Sequence, residues 1–158
     1  MIVVADTSPL NYLILIDAAD LLPVLFDEVL IPTAVVQELN HQRAPDKVRC
    51  WMGAPPNWLQ VRSVGVTIAH PLLAALQTGE SQAIQLALER GIETVLIDDA
   101  EGRSAAEKLH LEVRGTLSVL ERAARLGKVN LRDALKRLKQ TTFRLSPALE
   151  TALLERNP

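Results

Sequence analysis

Five carboxylates in this 158-residue chain stand where apolar runs end or helices begin: Asp6, Glu38, Glu80, Asp98 and Asp99. Carboxylates gathered in one pocket repel each other and raise each other's pKa, so the cluster is costly unless a cation shares it. Hard oxygen donors with no His or Cys beside them suit Mg²⁺ or Mn²⁺. The chemistry such ions serve best is phosphoryl transfer, in which one ion activates a water and another stabilises the leaving oxygen. Asp6 is the hardest to read as idle, because it directly follows Ile2-Val3-Val4-Ala5, a run that belongs in a core. The others have plain readings as well. Asp98 can cap a helix starting at 100, with Glu101 completing a capping-box-like pair, and Asp99 can be a simple N-cap. Glu80 can complement a helix dipole from the first turn, and Glu38 can be a solvated helix residue. Asp17, Asp20, Asp27, Glu28 and Glu89 read as caps and surface charge.

Whether these acids meet depends on the elements that carry them. Apolar runs at 2–5, 29–31 and 94–97 predict buried strands, and weaker strands are expected near 59–61 and over 112–114. Asp6-Thr7-Ser8-Pro9 is a helix-start signal, with helix expected to about Ile16. A second short helix, capped by Asp17 or Asp20, should reach Phe26. Further helices are expected from Thr33, around 46–52, near 70–77, from 79 to Arg90 with Gly91 as its stop, over 100–109, and at 116–126, 131–140 and 147–155. Strands that alternate with helices, and that are continuous apolar runs, point to a parallel sheet covered on both faces. The chain therefore reads as one three-layer α/β/α domain over 1–158 with about five short strands, in which 128–158 form a helical C-terminal extension. Functional groups in open α/β sheets gather at the carboxyl ends of the strands. If the strands ending at Ala5 and Ile97 are neighbours, Asp6 and Asp98/Asp99 converge at one edge, within reach of Glu38 and Glu80.

Composition narrows the field. Hydrophobic residues are 48% and aromatics only 3%, so the core must be aliphatic, and base stacking on aromatic platforms is not expected as a main binding device. The lone Cys50 cannot staple the fold; it suits a reducing cytoplasm and reads as a small buried hydrophobe. His41, His70 and His110 lack ligand spacing, which argues against zinc. No run approaches a membrane span, and nothing at the N-terminus reads as a signal peptide. Net charge is uneven: 5 Lys/Arg against 12 Asp/Glu in residues 1–99, then 11 against 5 in residues 100–144. An acidic part beside a basic one is what a metal-dependent enzyme acting on a polyanion can use.

At this level of detail the motifs match a known family. Val3-Val4-Ala5-Asp6-Thr7-Ser8-Pro9-Leu10 resembles the opening motif of PIN domains, and Val35-Val36-Gln37-Glu38-Leu39 resembles their second. Gly79-Glu80-Ser81-Gln82-Ala83-Ile84 is similar to the third acidic motif of one branch. Leu96-Ile97-Asp98-Asp99 with Arg103, Ala106 and Leu109 is similar to the fourth, and Gly115-Thr116-Leu117-Ser118-Val119-Leu120 resembles a segment of an uncharacterised prokaryotic PIN-like branch. The resemblance covers about residues 1–127. It implies a sheet of order 3-2-1-4-5, metal-dependent cleavage of single-stranded RNA, and kinship with VapC-type toxins that form homodimers and bind an antitoxin. Two departures stand out. The third acid is Glu80 where many members have Asp, and the usual Thr-x-Asp after the fourth strand reads Ile97-Asp98-Asp99, without its hydroxyl.

The resemblance further implies roles. Asp6, Glu38, Glu80 and Asp99 would be catalytic, and Asp6, Glu80, Asp98 and Asp99 would hold the metal. Asp99 aligns slightly better than Asp98 with the family's Asp. Thr7, Ser8 and Glu101 would support, Thr7 or Ser8 by orienting Asp6 or a water. From the residues themselves, Arg103 and a stripe of Arg132, Lys136 and Lys139 on one helical face are candidate phosphate contacts. Leu131, Leu135 and Leu138 can serve the core or a dimer. Rival readings are a non-catalytic module that binds RNA or a protein, and a phosphatase or receiver domain. Ser8 in place of a second acid after Asp6 counts against the phosphatase, and a lone Asp6 after the first strand counts against the receiver.

Overall fold

The computed structural model describes residues 1–65 and 69–158. Strands β1 (Ile2–Ala5), β2 (Glu28–Pro32), β3 (Leu59–Arg62), β4 (Thr94–Leu96) and β5 (Glu112–Arg114) form one parallel sheet in the order β3-β2-β1-β4-β5. The order is the one the family resemblance implies. β1 is central, pairing Val3 with Val29 on one side and with Thr94 on the other.

The helices are α1 (Thr7–Leu15), α2 (Leu22–Leu25), α3 (Thr33–Leu39), α4 (Asp46–Gly53), α5 (Pro71–Ala74), α6 (Thr78–Arg90), α7 (Ala100–Lys108), α8 (Thr116–Arg125), α9 (Leu131–Leu138) and α10 (Pro147–Arg156). Successive strand residues serve opposite faces. Val3, Ala5, Val29, Ile31 and Leu96 join one apolar cluster, with side chains from α1, α2, α8 and α9. Val4, Leu30, Val95 and Ile97 join the other, against α6 and α7. Burial on both faces is why these strands read as continuous apolar runs.

Several local expectations are corrected. Asp17 and Asp20 cap nothing: Asp17 takes φ 59° and pairs with Lys47 at 2.8 Å, and the chain enters α2 through a 3-10 turn over Ala19–Leu21. The helix expected at 70–77 shrinks to α5, which His70 caps by accepting the Leu72 N–H at 3.0 Å. Cys50 is exposed, because α4 turns Val48 and Met52 inward instead. Leu131, Leu135 and Leu138 are buried within the chain, in the same cluster as Val3, so they offer no dimer face. No single helix among the described residues is long and apolar enough to cross a membrane.

Candidate active site

Asp6 emerges from the carboxyl end of β1, where its N–H donates to Leu96 O at 2.9 Å. That bond extends the β1–β4 ladder by one step and fixes Asp6 at the sheet edge. Its side chain is 4% exposed, and Oδ1 has no hydrogen-bond partner among the described residues. Burial pushes its pKa up to about 7. A backbone hydrogen bond from Thr7 opposes the rise, while Glu80, Glu38 and Asp98 add to it.

Glu80 lies in the first turn of α6, buried against α7. Its pKa is also pushed up to about 7, chiefly by burial and then by Asp99, Glu38 and Glu101. Asp6 and Glu80 are thus the two acids of the group whose charge is least accommodated by the protein.

Glu38 and Asp98 are held by donors. The Thr7 hydroxyl donates to Glu38 Oε2, and the Gly79 N–H donates to Oε1 at 3.1 Å. The Thr7 hydroxyl therefore orients Glu38, while the Thr7 backbone serves Asp6. Asp98 receives the Thr116 N–H on Oδ1 and the Thr116 hydroxyl on Oδ2, each at 2.7 Å. Burial raises its pKa, against the Thr116 bonds and the nearby Arg103 charge. Ile97, just after β4, carries no hydroxyl, and Thr116 at the start of α8 supplies one to Asp98.

Asp99 is exposed and caps α7, its Oδ2 accepting the N–H groups of Glu101 at 3.1 Å and Gly102 at 3.4 Å. Of the two capping readings open to these acids, the one for Asp99 holds, and Asp98 turns to α8 instead. Asp99 and Glu101 still raise the pKa of Glu80, so both lie within electrostatic reach of it.

Three glycines complete the arrangement. A Cβ on Gly79 would stand 2.7 Å from both oxygens of Glu38, one on Gly102 would stand 3.0 Å from Glu80 Oε2, and one on Gly115 would stand 2.7 Å from Asp98 Oδ1. Each acid thus lies against a backbone with no side chain. Glycine within a helix costs about 0.5–1 kcal/mol relative to alanine. Gly79 and Gly102 in first turns beside acidic motifs are therefore a sequence signal of carboxylates packed against backbone. Thr116 carried no such signal.

Beside Asp98 and Asp99 runs a groove of about 600 Å³. Ser8, Arg103 and Arg144 line it, as do Tyr12 and Phe143. Arg103 anchors one side by donating from Nη1 to Ile97 O at 3.2 Å. Arg132 and Lys136 on α9 and Lys139 at its C-terminal end are exposed and line no part of this groove, and Lys139 is paired with Glu150 at 2.8 Å. Of the four cationic candidates, the fold brings only Arg103 to the acids.

The donor set fits a hard divalent cation in its chemistry: oxygen ligands only, three carboxylates with raised pKa, and one buried oxygen without a partner among the described residues. Asp6 and Glu80 are the residues open to such an ion, with Asp98 and Glu38 already directed by their donors. Among the described residues, no three His, Cys, Asp or Glu side chains are gathered tightly enough to hold one ion together.

No curated protein and no solved structure matches the chain. A family model described as a PIN domain matches residues 2–157, which includes all three C-terminal helices. PIN domains are generally nucleases that typically use divalent metal ions. With the sheet order, the acid at the end of β1 and a match over nearly the whole length, the chain belongs to the PIN-domain family.

Proposed function

We propose that this protein is a Mg²⁺- or Mn²⁺-dependent endoribonuclease that hydrolyses phosphodiester bonds of single-stranded RNA. The observation that carries the proposal is the buried pair Asp6 and Glu80, both with pKa near 7 and one with an unpartnered oxygen. A bound divalent ion would supply charge neutralisation and an activated water at neutral pH. Asp6 and Glu80 would hold it, with Asp98 presented by Thr116. Glu38, oriented by Thr7 and Gly79, would accept a proton from an attacking water, and Asp99 and Glu101 would contribute charge from the rim. Arg103 would position a phosphate without reading sequence. Family kinship extends the proposal to a toxin of a toxin–antitoxin pair that acts in the cytoplasm as a homodimer and is restrained by an antitoxin.

The test is cleavage of single-stranded RNA with Mg²⁺ and Mn²⁺ by the wild type and Asp6→Asn. Metal-dependent cleavage by the wild type and loss of about 100-fold or more in the variant support the assignment. Equal cleavage by both sinks it. A second reading, a weakly catalytic module that binds RNA or a protein, is favoured by the absence of a three-ligand cluster among the described residues. Failure of millimolar Mn²⁺ to raise the wild-type melting temperature at pH 8 would select it.

A further inference from the structure

We propose that the groove beside Asp98 and Asp99 is a base-stacking and phosphate subsite for single-stranded nucleic acid, built by Tyr12 and Phe143 with Arg144. The proposal rests on the nuclease reading for the identity of the polyanion, but its geometry is independent of catalysis. The chain has only five aromatic residues, and two of them meet here. The Tyr12 and Phe143 rings stand edge to face, with centroids 5.1 Å apart at 86°, and the Tyr12 hydroxyl pairs with Thr142 Oγ1 at 3.0 Å. Both rings are only half-buried, and both line the groove. Arg144, next to Phe143 in the chain, is exposed and makes no hydrogen bond or ion pair among the described residues, whereas Arg156 in the same groove is engaged by Glu121. An aromatic platform with a free guanidinium one residue away is the combination that binds unpaired bases and their backbone. Duplex bases are stacked on each other and cannot use such a platform. The groove continues to the acid edge through Arg103 and Asp98, so a strand held here passes the carboxylates. Phe143 lies beyond the segment that carries the acidic motifs, and with so few aromatic residues the platform has no signature in the sequence.

The experiment measures binding of a fluorescent, mixed-sequence single-stranded oligoribonucleotide and of its duplex, using the full chain with Asp6→Asn to prevent cleavage. Adding Phe143→Ala is expected to weaken single-strand binding about tenfold or more, with duplex binding unchanged. Phe143→Leu keeps apolar volume against Tyr12 and is expected to fold normally yet show most of the same loss. Arg144→Ala is expected to weaken binding and to lower the log K against log salt slope by about 0.7. Photocrosslinks from a 5-bromouridine-substituted strand should map to Tyr12 or to residues 141–149. Unchanged affinity in Phe143→Leu and Phe143→Ala, or crosslinks that map elsewhere, would overturn the subsite. The two proposals fail separately. Wild-type cleavage whose KM is unaffected by Phe143→Leu removes the subsite and leaves the nuclease. Intact, Phe143-dependent binding without any metal-dependent cleavage removes the nuclease and leaves the subsite.

Discussion

Asp6 stores an electrostatic conflict that is measurable without any substrate. Its folded pKa of about 7 lies above the ordinary 3.8, so between these pH values the folded state binds more protons than the unfolded one. The contribution of this group is therefore fully present below about pH 4 and is lost as pH rises through 7. In EDTA, the wild type should melt at lower temperature at pH 8 than at pH 5.5. Asp6→Asn carries no such charge and should be the more stable protein at pH 8, by on the order of 2–4 kcal/mol, since one pKa unit is about 1.4 kcal/mol. Mn²⁺ at pH 8 should restore the wild type and leave the variant unmoved. A wild-type melting temperature that does not fall with pH would contradict the account. The glycines give a second residue-scale prediction. Gly79→Ala adds a Cβ against the mobile end of Glu38, so the carboxylate must move while the helix gains propensity. Thermal melting should show stability unchanged or raised by up to about 1 kcal/mol, and RNA cleavage should drop by about tenfold or more. The sequence showed which acids to consider but not which neighbours hold them. Thr116 and Gly102 reach their carboxylates across turns between elements, and no spacing rule reports that.

At the scale of elements, most of the sheet was legible because each strand is a short apolar run bounded by helix starts. What was not legible followed from local competition. Asp17 adopts a left-handed backbone, so it cannot cap the turn that follows it, and α5 has only four residues before the turn toward α6. The Asp98/Asp99 ambiguity was physical too. Both follow β4, and only the path of the chain into α7 decides that Asp99 caps while Asp98 turns to Thr116. Removing the hydroxyl with Thr116→Val leaves one buried Asp98 oxygen without its donor, at a cost of about 1–3 kcal/mol. Thr116→Ser should recover most of that in denaturant melts, and failure of Ser to rescue would show that the methyl group matters more. Leu135 on α9 is fully buried in the cluster that also holds Val3, so Leu135→Ala should cost about 2–5 kcal/mol and lower cleavage only through the folded fraction. A loss well under 1 kcal/mol in the same melts would mean that α9 is an appendage.

Across the whole molecule, charge is divided by sequence: 12 acids against 5 bases before residue 100, and 11 bases against 5 acids over 100–144. The fold mixes these parts at the groove, which Arg103 and Arg144 line together with Asp98 and Asp99. A polyanion held by so few cations should bind with a modest salt dependence, each neutralised phosphate contributing about 0.7 to the slope for a single strand. The α9 stripe of Arg132 and Lys136 lines no part of that groove. The double variant Arg132→Ala/Lys136→Ala should therefore change KM for RNA less than twofold, as steady-state cleavage would show.

The central position of β1 has a consequence for synthesis. Asp6 is made before the residues that settle its surroundings: the ladder bond that fixes it comes from Leu96, the residue that presents Asp98 is Thr116, and the groove wall comes from Phe143. Such contacts between distant parts of a chain close only after the later part has been made. A nascent chain released before residue 116 should carry every acid of the site and still be inert. The acids of the site are thus synthesised well before the groove beside them can close, and the arrangement is complete only once the residues through Phe143 have been made.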